Sequence, residues 1–265
     1  MKLIISPAKK MNVREDELEP TALPHFLEQA GVLMNYMKGL TRSEAQAIWK
    51  CNDSIASLNY ERFLHMDLER RLTPAILSYE GIQYQYMAPS VFQASELDYV
   101  QSHLRILSGF YGILRPLDGI VPYRLEMQAK IDLTRDGQRF TDLYAFWGDR
   151  IYRELVRGDR VIVNLASKEY SKAVEAYLEP DVHFVNVVFG CMETDKSGNP
   201  GIKVKGTEAK MARGEMVRFL AERGAKTPEA MMEFDRLGYR YRGELSDGNN
   251  YTFIKEETDN AGGRN

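Results

Sequence analysis

The run Val161-Ile162-Val163-Asn164-Leu165 constrains the fold more than any other stretch of the chain. It is almost wholly apolar and rich in β-branched residues, as expected of a strand deep in a sheet. A turn at Ala166-Ser167 follows at once, and residues 168–178 have helical character. Strand, tight turn and helix in that order point to an α/β fold. A second buried strand, Leu3-Ile4-Ile5, is closed by Ser6-Pro7. The expected fold class is α/β, a single compact mixed-sheet domain surrounded by helices over residues 1–257, with residues 258–265 a frayed tail.

Other elements follow from spacing. Residues 24–38 read as a helix through Phe26, Ala30, Leu33, Met34 and Met37. Thr41 and Glu44 form a capping-box pattern before the next helix, and a further helix spans 53–64. Residues 75–79 have strand character, while Ser95 opens a helix with Leu97, Val100, Leu104 and Leu107 on one face. Pro116 and Pro122 make residues 115–127 a fixed loop. Thr141-Asp142 starts a helix running through Trp147 and Leu155 to Gly158. Strands at 183–189 and 202–205 flank a turn at 196–200, which suggests a hairpin. Thr207 caps a helix over 208–223, and a late strand covers 251–255. The acidic residues 15–19 read as a solvated loop.

Several function classes are disfavoured at this level. The two cysteines, Cys51 and Cys191, build neither a disulfide framework nor a zinc-binding pair, and both read as buried thiols in a reducing cytosol. The four histidines lack metal-ligand spacing, so no metal is expected. A P-loop, a dinucleotide-binding glycine pattern and a nucleophile elbow are all missing, and no cofactor is expected. The apolar start is too short for a signal peptide, and no window approaches the roughly 20 apolar residues of a membrane span. A cytoplasmic protein without a membrane partner is the expectation. The net charge of −3 means that any nucleic-acid contact must rest on a local basic patch.

Four places join reactive side chains to rigid backbone. They are Ser6 and Lys9 after the first strand; Arg115, Arg124 and Glu126 in the proline-bounded loop; Trp147 and Asp149 with Asn164, Ser167 and Tyr170; and Lys210 and Arg213 on the late helix. Each has a plainer reading. Arg124 and Glu126 can be a structural ion pair, Trp147 a core residue, Asn164 and Ser167 partners of backbone amides, and Lys210 and Arg213 a solvated face. Yet Lys210 and Arg213 border the apolar stripe of Ala209, Ala212, Met216 and Phe219, which sets them at a groove edge. Gly214 beside them costs about 1 kcal/mol relative to Ala in a helix, which implies close packing or a ligand approaching there. Taken together, Lys9, Arg115, Arg124, Lys210 and Arg213 suit a phosphate or carboxylate.

The same segments resemble the YaaA family of peroxide-stress proteins. The resemblance rests on Ile5-Ser6-Pro7-Ala8-Lys9, on residues 103–118 around Ser108-Gly109-Phe110-Tyr111-Gly112, and on Pro122-Tyr123-Arg124-Leu125-Glu126-Met127. Residues 143–149, 164–170 and 209–214 complete it, so it extends from residue 3 to about 255. It implies a role in peroxide stress, limiting damage to DNA by free iron, and DNA binding without sequence preference. It also implies an α/β fold with a helix-hairpin-helix element, for which residues 41–63 and 104–115 are the two candidates. The alternative is an enzyme acting on a small phosphorylated or carboxylated ligand, with Lys9, Arg124, Glu126, Asp149, Tyr170 and Lys210 lining its cleft and Glu126 or Asp149 as base.

Overall fold

The computed structural model of the chain describes residues 1–14, 17–194 and 198–256. Its centre is an eight-stranded sheet. The strands of this sheet are β1 (Lys2–Ile5), β2 (Leu104–Ser108), β3 (Gly112–Leu114), β4 (Val161–Leu165), β5 (His183–Thr194), β6 (Pro200–Lys203), β7 (Tyr239–Tyr241) and β8 (Asn250–Lys255). Among the described residues ten α-helices accompany them: α1 (Leu27–Gly39), α2 (Arg42–Trp49), α3 (Asp53–Leu64), α4 (Ala75–Ser78), α5 (Ile82–Met87), α6 (Ala94–His103), α7 (Leu143–Trp147), α8 (Arg150–Leu155), α9 (Lys168–Glu175) and α10 (Gly206–Arg223).

Five strands are mutually parallel and stand in the order β2-β1-β4-β5-β8. Antiparallel β3 and β7 close the two ends, and β6 pairs antiparallel with the far end of β5. Numbered by their place in the chain, the parallel strands read 2-1-3-4-5. The chain leaves β1 in one direction to form β2, then returns to β1's other side as β4. That reversal opens a crevice beyond the carboxyl ends of β1 and β4, the usual ligand position in open α/β sheets. Leu3, Ile4 and Ile5 are fully buried, as are Ile162, Val163 and Leu165; consecutive strand residues point to opposite faces, so both faces of the sheet's middle are covered.

The two strongest expectations hold: β1 and β4 lie where the apolar runs place them, and the fold is a mixed-sheet α/β structure. The Thr41 capping box is formed, and α3 spans its expected residues. The hairpin of β5 and β6 pairs Cys191 with Lys203, while Lys196 and Ser197 of its turn lie outside the described residues. So do Glu15 and Asp16 of the acidic stretch and the expected tail over 258–265.

Other expectations are corrected. Residues 75–78 form α4, a single helical turn, not a strand; all four are buried, so no polar face reports the period. Helix α6 begins at Ala94 behind a Gln93–Glu96 capping box and stops at His103. Leu104 then enters β2 beside Leu3 of β1, so Leu104 and Leu107 belong to a strand and not to a helical stripe. The expected helix over 141–158 is divided into α7 and α8 by Gly148, which adopts φ +52°. The start at Thr141-Asp142 holds: Asp142 caps α7 by accepting from the Ala145 amide. Lys205 rather than Thr207 precedes the first turn of α10. Both cysteines are half-buried free thiols, not core residues.

The two helix-hairpin-helix candidates separate clearly. Residues 104–115 contain the antiparallel β2–β3 hairpin and no helix pair. Residues 41–63 do contain two helices, α2 and α3, joined by Lys50, Cys51 and Asn52. Among the described residues, no helix is long and apolar enough to cross a membrane.

Candidate functional site

A cleft of about 430 Å³ lies at the strand-order reversal. Its floor is made by the residues that leave β1 and β4. Ser6 Oγ accepts from the Ser167 amide at 2.8 Å and stands 3.2 Å from Ser167 Oγ, which ties the two exits together. Tyr84 donates from its hydroxyl to the Ser6 carbonyl at 3.0 Å. Beneath the floor, Tyr123 Oη sits 2.7 Å from Tyr79 Oη and 2.6 Å from Ser108 Oγ. Ser108 Oγ in turn accepts from the amides of Phe110 and Tyr111. Burial pushes the Tyr123 phenol up to about 12, so this network remains protonated across the physiological range.

One wall is the loop carrying Arg124, Leu125 and Glu126. It is stitched to the start of α9, where Glu169 accepts from the Gln128 amide at 3.3 Å and Tyr170 meets the Met127 backbone. Burial raises the Glu169 carboxyl above the ordinary glutamate value. Glu126 Oε1 stands 3.0 Å from an Arg124 guanidinium nitrogen and 3.2 Å from Lys9 Nζ. Neither ion pair is a hydrogen bond, so Oε1 is buried without a hydrogen-bond partner, and Arg124 Nε is likewise buried without one.

The opposite wall is built by α5 and α10, which contribute Gln83, Lys210 and Arg213. The helices touch at Gly214, where a Cβ would lie 2.0 Å from the Gln83 carbonyl oxygen. Close packing, one of the two readings of that glycine, is the one realised. Arg213 Nε and Gln83 Nε2 are also buried and unpartnered. Burial lowers the proton affinity of the Arg213 guanidinium, and no ion pair offsets that cost among the described residues. Six buried side-chain polar atoms lack partners among the described residues, and four of them belong to this cleft. The other two, Trp49 Nε1 and Tyr99 Oη, are core atoms elsewhere. Unsatisfied buried polar groups are scarce in folded proteins, so their concentration here makes this cleft the candidate site.

The cleft therefore assembles Ser6, Lys9, Arg124, Glu126, Ser167, Tyr170, Lys210 and Arg213 from the sequence-derived set. It does not contain the other four. Arg115, directly after the last residue of β3, lines a separate recess of about 180 Å³ with Arg105, Asp118 and Glu154. Trp147 is fully buried and donates Nε1–H to the Gly109 carbonyl at 2.9 Å, so it is core. Asp149 precedes α8 and pairs with Arg153 at 2.6 Å, far from any role as a cleft base. Asn164 accepts from the Ala166 amide and donates to Asn186 Oδ1, holding β4 to β5. The wall from Glu80 to Tyr84 and the acid Glu169 were missing from the sequence-derived set. Gly214 was the available signal for that wall, but nothing in the sequence identifies Gln83 as its neighbour.

Five cations (Lys9, Lys10, Arg124, Lys210, Arg213) and three carboxylates (Glu80, Glu126, Glu169) line the cleft, a local excess of positive charge in a net acidic chain. Among the described residues, no three His, Cys, Asp or Glu side chains converge as a metal-ligand set.

Comparison with known proteins gives the relationship. The model of the family described as peroxide stress protein YaaA matches residues 1–245. This chain belongs to the YaaA family. A UPF0246 protein of Agathobacter rectalis is 51% identical over 97% of this chain and 99% of its own length. UPF0246 proteins of Desulfitobacterium hafniense and Pediococcus pentosaceus are 52% and 49% identical, each over at least 96% of both chains. The β1 exit, the Arg124–Glu126 loop and the α10 face, which carry the YaaA resemblance in sequence, are the parts that surround the cleft.

Proposed function

We propose that this YaaA-family protein serves the peroxide-stress response by binding DNA through the cleft, without reading sequence, and so helps limit iron-dependent damage. The observation that carries this reading is half-buried Arg213, whose Nε is buried without a hydrogen-bond partner among the described residues, beside exposed Lys210. A phosphodiester supplies the missing acceptor, and Arg binds phosphate through a planar fork. The chain's net charge of −3 repels DNA elsewhere and confines contact to this basic region. The α2–α3 pair is the weaker contact, because Asp53 places a negative charge in the first turn of α3.

Fluorescence anisotropy on duplex and bubble DNA across a salt series tests the proposal. Affinity should fall with salt by a log–log slope of about −0.9 per phosphate contacted in duplex. Arg213→Ala should weaken binding about tenfold, and Lys210→Ala should reduce the slope by about one contact. Absence of binding at low salt would sink the DNA reading.

A second reading, an enzyme acting on a small phosphorylated or carboxylated molecule, is favoured by the cleft's place at the strand-order reversal. Thermal stabilisation by phosphorylated metabolites, together with no DNA binding, would select it.

A further inference from the structure

We infer that the cleft seats one nucleotide unit, its phosphate on the Lys210–Arg213 wall and an amino-bearing base edge on Glu126. For one of its two sources, DNA, this rests on the reading above; for the other, a free nucleotide, it does not.

A groove that only follows a phosphate backbone needs donors and gains nothing from carboxylates. This cleft is mixed. The helix wall offers only unsatisfied donors, Arg213 Nε and Gln83 Nε2, while the loop wall offers the one unsatisfied acceptor among the described residues of the cleft, Glu126 Oε1, beside the donor Arg124 Nε. Lys9 and Arg124 stand at ion-pair distance from that oxygen, yet neither makes a hydrogen bond to it. A ligand that satisfies both walls carries an anion at one end and an N–H donor at the other. Pro7, Ile82, Leu125, Tyr84 and Tyr170 add apolar surface to the lining, which suits a flat body. The volume of 430 Å³ falls in the range of roughly 300–1,000 Å³ typical of small-molecule sites, larger than one phosphate requires.

A nucleoside monophosphate has all three parts. Its amino group, as in adenine, cytosine or guanine, donates to a carboxylate, whereas thymine has no exocyclic amino group and flanks its single N3–H with two carbonyl oxygens that the carboxylate repels. The unit can come from solution or be extruded from DNA, most readily from an unpaired region, where least stacking is lost.

Calorimetric titration with dAMP, dCMP, dGMP and TMP forms one arm of the test. Fluorescence of 2-aminopurine placed in a duplex and in a bubble forms the other. At least one amino-bearing monophosphate should bind about tenfold more tightly than TMP, a difference of one good hydrogen bond to a charged group. Arg213→Ala should weaken all four, and Glu126→Gln should abolish the discrimination while leaving phosphate-driven binding. Circular dichroism melts check that both variants fold, and Lys210→Ala, at an exposed position, gives an independent loss of phosphate affinity. Brightening of 2-aminopurine assigns the unit to DNA; discriminating binding of monophosphates with a silent 2-aminopurine assigns it to solution. Monophosphates that bind without discrimination overturn the inference. DNA binding with neither monophosphate binding nor brightening overturns it and leaves the DNA reading standing. Discriminating monophosphate binding without DNA binding sinks only the DNA reading.

Discussion

Gly214 and Gln83 show how single atoms shape the cleft. The helical backbone at Gly214 is ordinary, so the constraint is space and not dihedral freedom: a methyl group would meet the Gln83 carbonyl oxygen at 2.0 Å. Gly214→Ala must push α5 and α10 apart, an overpacking cost of about 3 kcal/mol. Chemical denaturation should show that loss. The same variant should also lose anion affinity, because Gln83 and Arg213 ride on the displaced wall. Native affinity in a destabilised Gly214→Ala protein would separate the helix contact from the site. Trp147 teaches the opposite lesson. An aromatic beside Gly148 and Asp149 resembles a ligand platform in sequence, yet its indole is used to hold Gly109 inside the core.

At the scale of elements, local chemistry was legible wherever it was self-contained. The box formed by Thr41 and Glu44 is one case: Thr41 Oγ1 accepts from the Glu44 amide, and Glu44 Oε2 lies 2.7 Å from the Thr41 amide. Thr41→Ala should cost about 1 kcal/mol and lower the melting temperature of a chain this size by about 2 °C. An unchanged melting temperature would mean that α2 is held by packing of Ala45 and Trp49 alone. The junction between α6 and β2 is the contrary case. Leu104 and Leu107 continue the apolar spacing of α6, but pairing of Leu104 with Leu3 turns the backbone into a strand after His103. A helical period and a fully buried strand share the same residue types over so short a run, and the partner strand decides between them.

Stability against pH belongs to the whole molecule, and Asp118 gives it a testable component. Burial raises this carboxyl from the ordinary value of 3.8 to about 6, although the Arg115 amide and the Arg115 and Arg105 charges oppose the rise and Glu154 adds to it. His25, paired with Glu154 at 3.5 Å, faces the same recess. Between about pH 4 and 6 the folded state binds more protons at Asp118 than the unfolded state, so this contribution falls as pH rises. It is most favourable below pH 4 and costs roughly 2–3 kcal/mol above pH 6. Asp118→Asn keeps an acceptor for the Arg115 amide and removes the titration. Its stability relative to the parent should therefore be higher at pH 7.5 than at pH 4 by roughly that amount, read from urea midpoints at both values. A difference independent of pH would show that Asp118 does not carry the shift.

What the sequence alone determined are the features written in consecutive residues: the apolar runs of β1 and β4, the capping box of α2, the proline-bounded loop and the family to which these motifs belong. It also named most of the polar residues that line the cleft, because residues leaving adjacent parallel strands are forced toward the same edge of a sheet. Only the tertiary structure decided the order β2-β1-β4-β5-β8, which places Ser6 against Ser167 across 161 positions of chain. It likewise decided that α5 forms the second wall, that Arg115 and Asp149 face elsewhere, and that Arg213 Nε is buried without a hydrogen-bond partner among the described residues. These are distances between remote segments. They follow from how sheet pairing and close packing are satisfied together, and no local pattern of residue types encodes them.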